Sequence, residues 1–195
     1  AYRVAQSKLF VMALRIRKQF LYENRKNVKA AIIVWDQQEK YLDRKHVIEA
    51  AWNWINMTIP VISSTFASFS RMCKNLGAET LGHLFIDEAG QALPQAAVGA
   101  IYRSRHVMVV GDPLQIKPVL TLDSNTLYML GEHFGVTEKY LSASTSAQIL
   151  ADAASQYGFY RKQDKAEDSW VGIPLWVHRR CRYPMFTISN MISYD

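Results

Sequence analysis

The chain has 195 residues, 49% hydrophobic and 12% aromatic, enough apolar material for one core or for one core with an appendage. Its uninterrupted apolar runs, such as Ala30 to Trp35, are far below the roughly 18 residues of a membrane span, so a soluble protein without a membrane helix is expected. A net charge of +6 favours polyanionic partners.

In chain order, Leu9, Phe10, Ala13, Leu14, Ile16, Phe20 and Leu21 recur at helical spacing between basic residues, which predicts one amphipathic helix from Ser7 to about Lys29. The cations Arg15, Arg17, Lys18, Arg25, Lys26 and Lys29 are either its solvated face or a contact for nucleic acid. A second helix is predicted from Arg44 to Met57, ending before Pro60, with Trp52 and Trp54 as packing residues.

After Pro60 the pattern changes to short apolar runs: PVISST, LGHLFID, HVMVVGD and IPLWVH, each predicted as a strand. Between the second and third, Pro94 suits the first turn of a helix that Ala96, Ala97, Val98, Ala100 and Ile101 continue. Strands alternating with helices predict an α/β fold with a parallel sheet. SASTSAQILADAASQYGF adds a helix capped around Ser144 to Ser146 and stopped at Gly158, and the polar stretch YRKQDKAEDSW is predicted as a surface loop.

Asp87 and Glu88 stand in tandem where LGHLFID ends. Ligands of a parallel sheet bind beyond the carboxyl ends of its strands. One acid there can reach a hydrated Mg²⁺ while its neighbour is aimed at a water, as nucleotide hydrolysis requires. Two solvated acids at a strand end are the plainer alternative. GDPLQIKPV begins 24 residues after Asp87, room for one helical crossover, so its loop opens on the same sheet edge. Gly111 permits a tight exit, Pro113 stiffens the turn, and Gln115 offers an amide that can donate to a phosphate oxygen and accept from a water.

These residues carry a family resemblance. DEAGQ at 87–91 resembles the Walker B motif of superfamily 1 helicases, and GDPLQIKPV at 111–119 resembles their motif III. VISSTFAS at 61–68 is similar to the strand and loop, the motif Ic region, that precede Walker B and touch nucleic acid. HRRCRYPMFTISNMISYD at 178–195 resembles the motif IV region, in which QYRMHP is usual and His178 stands for the glutamine. The order is the family's, covers about residues 60–195, and is nearest the 5′-to-3′ branch.

The resemblance implies a partial RecA-like domain of P-loop NTPase type over residues 60–195, with residues 1–59 as a helical insertion or stalk. It implies ATP and Mg²⁺ as cofactors and DNA or RNA, single-stranded or duplex, as partner. By position, Asp87 would hold Mg²⁺, Glu88 would orient and deprotonate the attacking water, and Gln115 would sense the γ-phosphate. Gln91, Gly111 and Asp112 would complete the nucleotide contacts. Arg180, with Arg179 second, would face the transferred phosphoryl group, where a guanidinium is worth factors of about 10³ or more; otherwise Arg179, Arg180 and Arg182 are a basic loop. Ser64, Thr65 and Ser68 would bind strand phosphates. Phe66 or Phe69 could stack on a base, with core packing the plainer reading.

The sequence also lacks parts of the family pattern. None of its nine glycines is followed by lysine, so the GxxxxGK[ST] loop that cradles phosphates is absent. Motifs V and VI are absent as well. The chain is therefore expected to be an excised segment of a longer helicase, with little ATP hydrolysis alone and the rest of that chain as a partner. The competing reading is a catalytically silent RecA-like module that binds nucleic acid or scaffolds another protein. Cys73 and Cys181 form no CxxC pair and have no zinc-finger histidine partner, which fits a reducing cytoplasm.

Overall fold

A computed structural model of the chain describes residues 2–112, 116–120, 122–137, 140–141, 145–161, 169–174 and 183–193. They divide into two compact units, Ala1–Thr80 and Leu81–Asp195.

The first unit is helical. The run expected as one helix is two: α1 spans Tyr2–Glu23 and α2 spans Arg25–Asp36. The break falls at Asn24, whose side-chain amide and backbone N–H both donate to the Phe20 carbonyl, at 2.9 and 3.0 Å. Asparagine competes in this way with the regular ladder. After a 3₁₀ turn at Gln38–Tyr41, α3 runs Lys45–Thr58 and buries Ile48, Ala51, Trp52 and Ile55, an i, i+3, i+4, i+7 stripe. Trp35 meets Trp52 edge to face, with ring centroids 6.1 Å apart, and Phe20 stacks on Trp54 at 5.9 Å. Both tryptophans of α3 therefore pack, as expected. Arg17 donates to the Met57 carbonyl at 2.8 Å and the Thr58 carbonyl at 3.0 Å, placing a cation at the carboxyl end of α3. Helix α4, Phe66–Met72, follows, and the chain then buries Cys73 and Leu76.

One expectation fails here. Residues 60–65, PVISST, form no strand. Val61 is 81% exposed, and a β-branched run without a neighbouring strand has no ladder to join.

The second unit is α/β. Strand β1, Leu81–Ile86, and strand β2, Ser104–Val109, are parallel, with Leu81 opposite Ser104 and Ile86 opposite Val109. Helix α5, Pro94–Tyr102, makes the crossover, with Pro94 in its first turn and Ala97 and Ala100 buried. The Ser104 hydroxyl donates to the Ala100 carbonyl at 2.9 Å, fastening the start of β2 to the helix. This β-α-β arrangement with flanking helices is a partial RecA-like P-loop fold.

Helix α6 spans Ser124–Phe134, capped by Asp123 at its start and by Gly135, at φ 65°, at its end. Helix α7 spans Ala147–Ala154 with Ser146 as its cap. It ends at Ser155 and not at Gly158; Gly158 instead sits beneath Trp170, where a Cβ would fall 2.2 Å from the Val171 carbonyl. The stretch expected as a loop contains an antiparallel hairpin of β3, Phe159–Arg161, and β4, Ser169–Val171. Buried Asp152 ties α7 to this hairpin: its Oδ1 accepts from the Gln148 amide at 3.0 Å and the Gly172 N–H at 3.1 Å. Of the expected strand IPLWVH, Ile173 and Pro174 have no regular structure, and the remainder lies outside the described residues. Helix α8 spans Met185–Ser193.

Candidate active site

The parallel ladder continues one step past the strands. Val110 N–H donates to the Ile86 carbonyl at 2.8 Å, and Ala89 N–H donates to the Val110 carbonyl at 3.0 Å. The loop after β1 and the loop after β2 are thereby held side by side at the carboxyl edge of the sheet.

Their contact is backbone on backbone. A Cβ on Gly90 would lie 2.4 Å from the Asp112 carbonyl oxygen, and one on Gly111 would lie 2.6 Å from the Gly90 nitrogen and 2.7 Å from the Ala89 nitrogen. Only glycine fits at either place. The need for Gly111 is thus this close approach; the tight exit expected from the sequence calls for no left-handed φ, since Gly135 is the glycine recorded there among the described residues. Ala89 is fully buried beneath the junction, and α7 closes it from one end, its Ala147 N–H donating to the Ala92 carbonyl at 2.9 Å.

Asp87 and Glu88 are exposed above this buried junction. Glu88 has φ 53° and ψ 38°, the left-handed region, which costs a residue with a side chain about 1–3 kcal/mol. That turn swings the chain out of the strand into the 3₁₀ turn Ala89–Gln91 and brings the Glu88 N–H to Asp87 Oδ1 at 3.0 Å. The aspartate is thereby oriented by its own neighbour, and the glutamate leaves the strand direction. Gln91 is exposed at the end of the turn, its N–H donating to the Glu88 carbonyl at 3.0 Å. Asp112 is half-buried, and Pro118, the proline that follows the GD segment, is buried.

Of the residues expected at the site, Asp87, Glu88, Gln91, Gly111 and Asp112 belong to these two adjoining loops. Gln115 and Pro113 lie outside the described residues, as do His178, Arg179, Arg180 and Arg182. Ser64, Thr65 and Ser68 belong to the helical unit. Ser64 is exposed; the Thr65 hydroxyl caps α4, accepting from the Ser68 N–H at 3.3 Å, so both residues have a structural duty there. Phe66 and Phe69 are half-buried. The sequence reading assigned no role to Gly90 or Ala89. The signal available was two small residues directly after the acids, where only a backbone contact demands them.

The donor set suits a hard divalent cation. Mg²⁺ is bound through one or two carboxylates together with substrate phosphates and waters, not by a full protein cage. One oriented, solvent-facing aspartate fits that role, and among the described residues no group of three or more metal-ligating side chains competes with it.

A family model described as AAA domain matches residues 6–122, which include both loops and most of the helical unit. No curated protein and no solved structure matches the chain.

Proposed function

The chain belongs to the AAA domain family, of the P-loop NTPase type, and from that premise we propose that it is a segment of an ATP-dependent superfamily 1 helicase or translocase of the 5′-to-3′ branch. Residues 60–195 are its incomplete motor domain and residues 1–59 a helical insertion. The observation that carries this reading is the junction of Gly90 and Gly111. It fixes the acid pair of one loop beside the polar loop of the next strand, the arrangement needed to hold a cation, a water and a phosphate together.

In this reading Asp87 would hold Mg²⁺, which would supply charge neutralisation on the phosphates. Glu88, turned away from the strand by its left-handed backbone, takes a proton from the attacking water. Gln115 senses the terminal phosphate, Arg180 stabilises its developing charge, and Gln91, Gly111 and Asp112 line the nucleotide. Ser64, Thr65 and Ser68 contact a strand of DNA or RNA. The site is cytoplasmic.

The 195 residues contain no GxxxxGK[ST] loop, so they do not turn over ATP unaided. Hydrolysis is therefore to be measured on the complete gene product. Glu88→Gln should lower kcat by about 10²–10⁴-fold while leaving ATP binding intact, because it removes the base and keeps the shape. Asp87→Asn should weaken the response to added Mg²⁺. Wild-type turnover no greater than that of Glu88→Gln would favour a non-catalytic RecA-like module that binds nucleic acid or scaffolds a partner.

A further inference from the structure

Helix α1 buries none of its 22 residues. Val4, Lys8, Val11, Arg15, Lys18 and Tyr22 recur at alternating steps of four and three, so they line one face, with Arg3 at its edge. Another side of the same helix is engaged: Arg17 holds the end of α3, and Phe20 stacks on Trp54. The stripe faces away from that contact. Two shallow grooves follow it, one lined by Arg3, Lys8 and Arg15 among Val4, Val11 and Met12, the other by Arg15, Lys18 and Tyr22.

The stripe carries four cations and no acid. The single acid of α1, Glu23, accepts from the Gln19 amide at 2.8 Å. Arg3, Lys8, Arg15 and Lys18 take part in no ion pair among the described residues. From Arg3 to Lys18 the charges extend about 22 Å along the axis at about 1.5 Å per residue. At its end Tyr22 is 64% exposed, with the Arg25 guanidinium 5.1 Å from its ring centroid, a cation and an aromatic face in one place.

We propose that this face of α1 binds the phosphate backbone of single-stranded nucleic acid, with Tyr22 offering a stacking platform at one end. The inference rests on the preceding reading for the identity of the polyanion, while its position rests on the charges of α1. An acidic helix is a poorer occupant, because Lys8, Arg15 and Lys18 sit at the seam positions such a partner would have to bury. A lipid surface is poorer too. An in-plane helix buries its apolar side in lipid, whereas on α1 that side is the one whose Arg17 and Phe20 already engage α3. A solvated phosphate chain accepts all four cations where they stand.

The test measures binding of a fluorescent single-stranded DNA or RNA oligonucleotide to the 195-residue chain between about 50 and 200 mM salt. Lys8→Gln/Arg15→Gln is compared with Lys26→Gln/Lys29→Gln, which loses the same charge from α2. Glutamine keeps helix propensity, and circular dichroism verifies it. The α1 variant should bind about tenfold more weakly, with its salt slope reduced by about 1.4, at about 0.7 per lost phosphate contact on a single strand. Arg15→Lys should restore most of the affinity. Equal loss in both double variants, no oligonucleotide binding by the parent chain, or binding only to phosphatidylserine vesicles would each overturn the proposal. No ATP is present, so a missing ATPase would sink the motor reading alone. Stimulated turnover with normal binding by the α1 variant would sink this one alone.

Discussion

The two units solve the problem of stability differently. In the helical unit, α3 buries Ile48, Ala51, Trp52 and Ile55 in one stripe, and large side chains fill the space between helices. In the α/β unit the sheet is nearly bare on one face, with Phe85 67% and Met108 57% exposed, and apart from Ile86, Pro118 and Leu127 the buried apolar side chains are those of alanines: Ala89, Ala97, Ala100 and Ala147. Volume holds the first unit; close backbone approach holds the loops of the second. Side-chain truncation should therefore hurt the helical unit most, and added atoms should hurt the loop junction most.

Trp52→Ala should show the largest effect, a loss of about 3–5 kcal/mol in denaturant unfolding followed by helical circular dichroism. The Trp52 indole Nε1 has no hydrogen-bond partner among the described residues, so Trp52→Phe should recover much of that loss. Next comes Gly90→Ala, whose methyl group has no room beside the Asp112 carbonyl. Overpacking of this kind costs about 1–3 kcal/mol, and amide chemical shifts should move in both loops, at Ala89 and at Asp112, not in one alone. Shifts confined to one loop would show that the junction does not couple them.

A smaller effect is expected at Asp123, an exposed cap. The Thr126 hydroxyl donates to its Oδ2 at 2.6 Å and the Thr126 N–H to its Oδ1 at 3.0 Å, and these bonds hold its pKa below the ordinary 3.8. A pKa lowered in the folded state means the ionised cap stabilises above the unfolded value, and that contribution disappears as pH falls through the folded pKa. Asp123→Asn should flatten this acid-side dependence in thermal melts below about pH 4. Smallest of all is Phe85→Ser, expected within about 0.5 kcal/mol because its ring is already in water. A loss as large as that of Trp52→Ala would erase the contrast between the units.

Where hydrophobic period and punctuation agreed, the elements were legible. The apolar runs ending in Asp87 and Gly111 are the parallel strands β1 and β2, Pro94 opens α5, and α3 stops short of Pro60. The misses have separate causes. The Asn24 break depends on a side-chain hydrogen bond that competes with the helix, and no glycine or proline marks it. PVISST has strand composition but no ladder partner, and periodicity is blind to pairing. In the hairpin β3–β4 the useful signal was the cross-strand pair Tyr160 and Trp170, rings 5.1 Å apart, which the polar residues around it obscured.

At the candidate site, the acids and Gly111 could be placed on one sheet edge because each follows an apolar run that forms a strand of the parallel pair. The left-handed backbone of Glu88 could not be foreseen, since nothing in a glutamate announces it. The role of Gly90 depends on the Asp112 carbonyl, 22 residues later in the chain, and such a contact is visible only once β1 and β2 are paired.

The most direct measurement is the ATPase rate of the complete gene product with and without single-stranded DNA and RNA, beside Glu88→Gln. Turnover that single strands stimulate and that collapses in the variant is the expected result. Turnover unchanged by Glu88→Gln would contradict the motor reading, because the acid held beyond β1 would then have no part in hydrolysis.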